Sequence, residues 1–322
     1  MGQDMTTRPI SIPATQNRPG RAILLKVTAI FLFMVMAAMI KSATVEVPPG
    51  QAVFFRSFFA LPIIFLWIWQ RGELRQALVP NNLMGHVWRG VIGTSSMGLT
   101  FAGLSILPLL EVTAIGYATP IATVALAAII LGERIRIFRM SAVAMGLVGV
   151  MIVIWPRISV GADSITTAAS LGAMMVLAAS LLRALVQIHL RTLVKTEHTA
   201  AIVFYFSATA SLLALFTIPF GWVWPSASVV GLLVGAGLVG GVAQILVTSS
   251  FRYAGASMLA PFDYTSMIFA AVIGYVVFAE VPTPSIWIGA ALVIAGGILI
   301  LWRERQLGLE RGKARSLIDP KG

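Results

Sequence analysis

About ten apolar stretches of roughly 17–24 residues dominate the chain, each long enough as a helix to cross ~30 Å of hydrocarbon. The approximate spans are 22–40, 51–69, 86–107, 111–131, 139–155, 166–187, 200–219, 228–248, 256–279 and 284–302. Segments such as 47-VPPG-50 and 220-FGWVWPS-226 punctuate them. Strands of a membrane barrel would be ~10 residues of alternating polarity, so these runs read as helices. Only 11% of residues are charged, against ~25% in a typical soluble domain. The expectation is an all-α polytopic membrane protein with ten transmembrane helices. The first run, 22-AILLKVTAIFLFMVMAAMI-40, is too long for the apolar core of a secretion signal and reads as an uncleaved first helix. The absence of cysteine excludes disulfides and thiolate metal sites.

Lys and Arg bias sets an expected orientation. With both termini cytoplasmic, 19 of the 23 basic residues fall on the cytoplasmic side, Lys26 and Arg89 among them. Lys41 and Arg157 fall outside, while Arg56 and Arg183 lie within spans. The formal charge of +11 then reads as anchoring to the anionic cytoplasmic leaflet of a cell inner membrane. A nucleic-acid surface would gather the basic residues on one soluble face instead. The two halves look related, because an ungapped shift of 147 residues lays Tyr117 on Tyr264, Glu133 on Glu280, Gly149 on Gly296 and Trp155 on Trp302. Each half has five spans, and an odd number inverts the second half in the membrane. The expected organisation is a disordered cytoplasmic N-terminus at 1–20, five-helix repeats at 21–156 and 157–303, and a basic cytoplasmic tail at 304–322.

The two-half layout resembles the EamA family of the drug/metabolite transporter superfamily over roughly residues 22–305. The resemblance rests on 131-LGER-134 after span four, 279-AEVP-282 after span nine, and the Gly-rich 142-AVAMGLVGVMIVIW-155 and 290-AALVIAGGILILW-302. Arg56 in span two and 260-APFDYTS-266 in span nine are similar to patterns in bacterial members. The resemblance implies a helical carrier whose central cavity opens alternately to either side. Members move amino acids, riboflavin, S-adenosylmethionine, nucleobase-like compounds and other small metabolites, so the fold leaves the substrate open.

Arg56 and Asp263 stand inside apolar runs, where a charge costs about 2.5–3.5 kcal/mol at the bilayer centre on insertion scales. Both are therefore candidates for a polar pathway. Arg56 can pair with Glu111, which opens span four on the same side, or hold an anionic group of a substrate; snorkelling is the plainer account. Asp263, beside Pro261, can line an unwound pocket and carry a proton during transport, or bond Arg183 near the inner end of span six. Arg183 and Gln187 share a face, one helical turn apart. Gln244 can line the cavity or bond another helix. Tyr117, Tyr264 and Tyr205 offer flat walls with one hydroxyl each, suited to a planar heterocycle. Glu133 and Glu280 read as structural residues at span ends, and Trp155 and Trp302 as interfacial anchors.

The segment 235-GAGLVG-240 follows no strand, which removes a dinucleotide reading. Its neighbours Gly231/Gly235 and Gly237/Gly241 fit close helix packing. His86, His189 and His198 lie near the expected inner surface without metal spacing and read as solvated. An intramembrane enzyme lacks any visible motif: 93-GTSSMG-98 does not have GxSxG spacing. The function expected is an inner-membrane carrier of a small organic metabolite working by alternating access, with proton coupling open. Riboflavin or another planar heterocycle is the first substrate expectation, and an amino acid or other exported metabolite the second. Expected partners are that small molecule, the lipid bilayer and, in an allowed homodimer, a second copy. No cofactor and no metal is expected.

Overall fold

The computed structural model describes residues 19–131, 137–158, 164–193, 196–250, 253, 259–296, 298, 299, 302 and 306, and every regular element among them is helical. In chain order these are α1 (Pro19–Ala43), α2 (Pro49–Phe58), α3 (Ala60–Gln70), α4 (Leu74–Leu78), α5 (Leu83–Ile106), α6 (Leu109–Gly116) and α7 (Ala118–Leu131). The second half follows with α8 (Ile137–Ile158), α9 (Ser164–Leu193), α10 (Thr199–Leu215), α11 (Ala227–Ser250), α12 (Thr265–Phe278) and α13 (Pro284–Gly296). Taken as spans, with α2–α3 and α6–α7 each counted once and the short α4 left out, they make the ten helices of a polytopic membrane protein. The N-terminal tail, Glu133 with Arg134 and Arg136, and nearly all of the basic C-terminal tail lie outside the described residues.

Proline explains the two broken spans. Pro62 has no N–H for the carbonyl of Phe58, and Pro120 has none for that of Gly116. The helix therefore stops at Phe58 and at Gly116, and one helical-region residue, Phe59 or Tyr117, links each pair of segments. Span nine departs from a continuous helix over 256–279: Ala260–Tyr264 form a 3₁₀ turn before α12 begins. The tighter turn carries Pro261 and presents Asp263 at a change of helix type.

Packing partners define the topology. α1 runs along α11, with Gly235 facing Met39 and Gly240 facing Met36, so these two are antiparallel. α11 also lies parallel to α2 and α3: Gly237 faces Phe55 and Phe59, and Gly241 faces Ala60 and Ile63. Gly231, by contrast, has open space around it, so the expected close packing at Gly231/Gly235 is confined to Gly235. α8 and α13, the last helices of the two halves, cross with backbones nearly touching. A Cβ on Gly149 would lie 2.6 Å from the Gly289 carbonyl, and one on Gly289 would lie 2.5 Å from the Gly149 carbonyl. Gly149 also meets Val293 while Gly289 meets Val153. Contacts that run Gly149 to Val293 and Val153 to Gly289 mark an antiparallel crossing, brought close because both crossing residues are glycine.

At the far end of α12, Ala279 adopts φ 53°. The turn is closed by Glu280 N–H donating to the Gly274 carbonyl at 3.0 Å. Under the 147-residue offset the first half has Gly132 at this place, and the left-handed conformation favours glycine. Ala279→Gly should therefore raise stability by about 1 kcal/mol. Gly149→Leu should lower it by ~1–3 kcal/mol through overpacking at the crossing. Thermal unfolding of the detergent-purified variants checks both signs.

Candidate functional site

Parallel packing of α1 on α12 sets lysines of α1 against carboxylates that flank α12 at its two ends. Lys26 Nζ lies 2.7 Å from Asp263 Oδ1, and Lys41 Nζ lies 3.1 Å from Glu280 Oε1. Between them Phe31 meets Phe269 edge to face, with ring centroids 5.3 Å apart. The two lysines are separated by roughly 22 Å along α1, so the pairs mark opposite ends of the bundle.

The Glu280 end is bonded shut. Besides its salt bridge, Lys41 donates to the Leu107 carbonyl at 2.5 Å. Glu280 Oε2 accepts the Leu109 N–H at 2.9 Å. Leu109 opens α6, so this carboxylate from the second half satisfies one of the free donors at a helix start of the first. Nearby, Gln51 exchanges two hydrogen bonds with the Val223 backbone, at 2.9 and 3.2 Å, and Glu46 accepts from the N–H and hydroxyl of Ser226. Glu280, expected at a span end, thus pairs with Lys41 and caps the start of α6.

The Asp263 end is open at the carboxylate. The Lys26 side chain is 7% exposed, whereas that of Asp263 is 51% exposed. The Asp263 backbone carbonyl accepts from Tyr117 Oη at 3.2 Å and from Ser266 Oγ at 2.7 Å, and those two hydroxyls are 2.5 Å apart. The rings of Tyr117 and Tyr264 touch, centroids 5.2 Å apart and tilted by 51°. These tyrosines are the pair that the 147-residue offset superposes. Equivalent residues that touch each other lie on the axis relating their halves. Each also sits where its span changes course: Tyr117 between α6 and α7, Tyr264 at the end of the 3₁₀ turn.

The remaining candidates are dispersed. Arg183 donates to Thr100 Oγ1 at 2.9 Å, and Asp263 takes Lys26 in its place. Gln187 accepts from Thr123 Oγ1 at 3.2 Å. Glu111 is buried in the first turn of α6 and forms no ion pair with Arg56, which is buried on α2. Gln244 is half-buried on α11, one turn beyond Gly240. Tyr205 lies elsewhere: its hydroxyl donates to the Leu78 carbonyl at 3.0 Å and its ring rests on His86. His86 itself is buried, with Nε2 3.2 Å from a Glu197 oxygen, which replaces the solvated reading of that histidine. Lys26 and Arg89 are the residues that sequence reasoning passed over. Both read as surface anchors, and both are buried. Their signal was present, since Lys26 stands inside the apolar run 22–40 and Arg89 inside 86–107.

Against known proteins, the model of the EamA-like transporter family matches twice, over residues 20–155 and 170–302. The chain belongs to the EamA-like transporter family. Its two matches end on Trp155 and Trp302, the residues that the 147-residue offset pairs. Among its relatives, the pseudopaline exporter CntI of Pseudomonas aeruginosa is 31% identical over 87% of this chain and 93% of its own length. An S-adenosylmethionine uptake transporter of Rickettsia prowazekii is 25% identical over 80% and 84%. A riboflavin transporter of Rhizobium johnstonii is 27% identical over 80% and 82%. One protein of known crystal structure superposes with TM-score 0.62 at 22% identity, covering 89% of this chain and 99% of its own, which speaks for the fold alone. This EamA-family protein is a multi-pass membrane transporter of a small molecule, not an enzyme.

The Glu280 lock is testable by a double-mutant cycle. Glu280→Gln leaves Lys41 without its counter-charge and should cost about 2–3 kcal/mol. Lys41→Met should cost a similar amount, and the double variant distinctly less than the sum, as read from unfolding in detergent.

Proposed function

We propose that this protein carries a small organic metabolite across the cell inner membrane by alternating access, with the substrate site at Asp263, Tyr117 and Tyr264. The observation that carries this reading is a half-exposed carboxylate, held by a buried lysine, beside the two tyrosines that meet on the axis between the halves. In carriers built from inverted repeats the site lies where the repeats meet, at broken helices near the bilayer midplane. The 3₁₀ turn before α12 and the α6–α7 break supply that irregular backbone.

A planar heterocycle such as riboflavin suits the site first. The tyrosine rings offer flat apolar contact, and ring N–H groups can donate to the Asp263 oxygen that faces open space. The riboflavin transporter among the relatives supports this choice. Both termini are taken as cytoplasmic on the Lys and Arg bias, so the Glu280 end faces outward. The Lys41–Glu280 pair then serves as the outer gate, and the cycle breaks it whenever the site turns outward. Protonation of Asp263 would release Lys26, which gives a proton a place in the same cycle.

Reconstitution into proteoliposomes tests the assignment, with riboflavin flux as the readout. Asp263→Asn and Lys26→Met, purified with near-native unfolding temperatures, should each slow flux at least tenfold. Asp263→Asn moving substrate at the wild-type rate would remove this site from the pathway.

A further inference from the structure

Lys26, Arg56 and Arg89 are the lysines and arginines buried among the described residues, and they are not equally provided for. Lys26 has Asp263. Arg89, on α5, donates from one Nη to the Ile202 carbonyl at 3.2 Å and lies over the Phe206 ring at 4.5 Å, but its Nε has no acceptor. Arg56, on α2, is 5% exposed, and neither its Nε nor its Nη1 meets an acceptor. The hydroxyl of Ser57, the next residue, is buried and equally unmet.

Arg56 points towards α11. A Cβ on Gly240 would come within 3.5 Å of its Nε and 2.7 Å of Met36 Sδ, so the guanidinium lies at the seam of α1, α2 and α11. Only a residue without a Cβ lets Met36 and Arg56 approach α11 this closely. Among the described residues no carboxylate forms an ion pair with either arginine. A buried guanidinium with unmet donors is destabilising. An arginine kept only for structure has its donors satisfied. Open guanidinium donors are what a carboxylate oxygen would meet.

We propose that Arg56 receives a carboxylate group of the transported compound. This rests on the carrier reading above, but it replaces the carboxylate-free heterocycle named there with an organic anion or zwitterion. The arginine site is displaced from Asp263: Met36, at the Arg56 level, is ~15 Å along α1 from Lys26. A compound that touches both sites carries its carboxylate at one end and its N–H donors at the other.

The test uses the full-length protein in a neutral detergent and a carboxylate-free buffer, followed by intrinsic fluorescence during heating. Probes come in matched pairs: succinate with succinamide, L-histidine with L-histidinamide, and riboflavin as a compound without a carboxylate. Carboxylates should raise the unfolding temperature by ~2–4 °C, and their amides should not. Arg56→Gln should abolish that rise, while Arg56→Lys keeps part of it. Without any probe, Arg56→Gln should be at least as stable as the wild type, because an unpaired buried charge has been removed. Three results would overturn the proposal: no carboxylate acts on the wild type, Arg56→Gln still responds to them, or Arg56→Gln is markedly less stable unliganded. A rise with inorganic phosphate as large as with carboxylates would also overturn it, by reassigning the guanidinium to a phosphate. Stabilisation by riboflavin that is lost in Asp263→Asn but kept in Arg56→Gln would leave the carrier site standing without the anion requirement.

Discussion

Everything in the two ends of this bundle depends on α1 lying parallel to α12. In that register Lys26 meets Asp263, Phe31 meets Phe269 and Lys41 meets Glu280. A lysine at membrane depth is tolerable because a carboxylate neutralises it, and each carboxylate is in turn held by its lysine. Breaking one pair strands its lysine without a counter-charge, so each pair opposes separation of α1 from α12. Neither pair is isolated: Glu280 also caps α6, and the Asp263 carbonyl takes the Tyr117 hydroxyl. A change at one end of α12 is therefore transmitted to helices of the other half.

The second constraint is the relation between the halves. Tyr117 and Tyr264 occupy equivalent places and touch, and the last helices of the two halves, α8 and α13, cross closely at Gly149 and Gly289. A contact between equivalent positions moves least when the halves rock against each other. The Lys41–Glu280 pair lies farther from this contact, at the opposite end of α1 from Lys26–Asp263. That division suits a carrier, with a steady wall at the substrate site and a gate at one mouth.

How much of this was legible in the chain differs by feature. The spans were, because crossing a bilayer demands a run of apolar residues that is visible in one dimension. The breaks at Pro62 and Pro120 follow from a missing N–H, and the tyrosine pair follows from the 147-residue offset. Ion-pair partners were not. Lys41 and Glu280 each stand at the edge of a span and look like loop residues; only the adjacency of α1 and α12 joins them. Arg183 was the partner expected for Asp263, and Lys26 takes that place because α1 is the helix that packs alongside. Arg89 resembled a surface anchor because its run begins nearby, yet α10 covers it. Glu111 and Arg56 face the same side of the membrane in sequence but belong to different contacts in space.

The absence of cysteine makes the proposed gate directly measurable, since labels can be placed without removing native thiols. Val45, after α1, and Val281, after α12, are both exposed and flank the Lys41–Glu280 pair. Spin labels at Val45→Cys and Val281→Cys, followed by pulsed electron–electron double resonance in proteoliposomes, report the spacing across that end. The proposed cycle predicts one short-distance population dominant in the otherwise native protein. It also predicts a second, longer population that grows when Glu280→Gln weakens the gate. A single distance distribution, unchanged by Glu280→Gln, would contradict a gate at this end of the bundle.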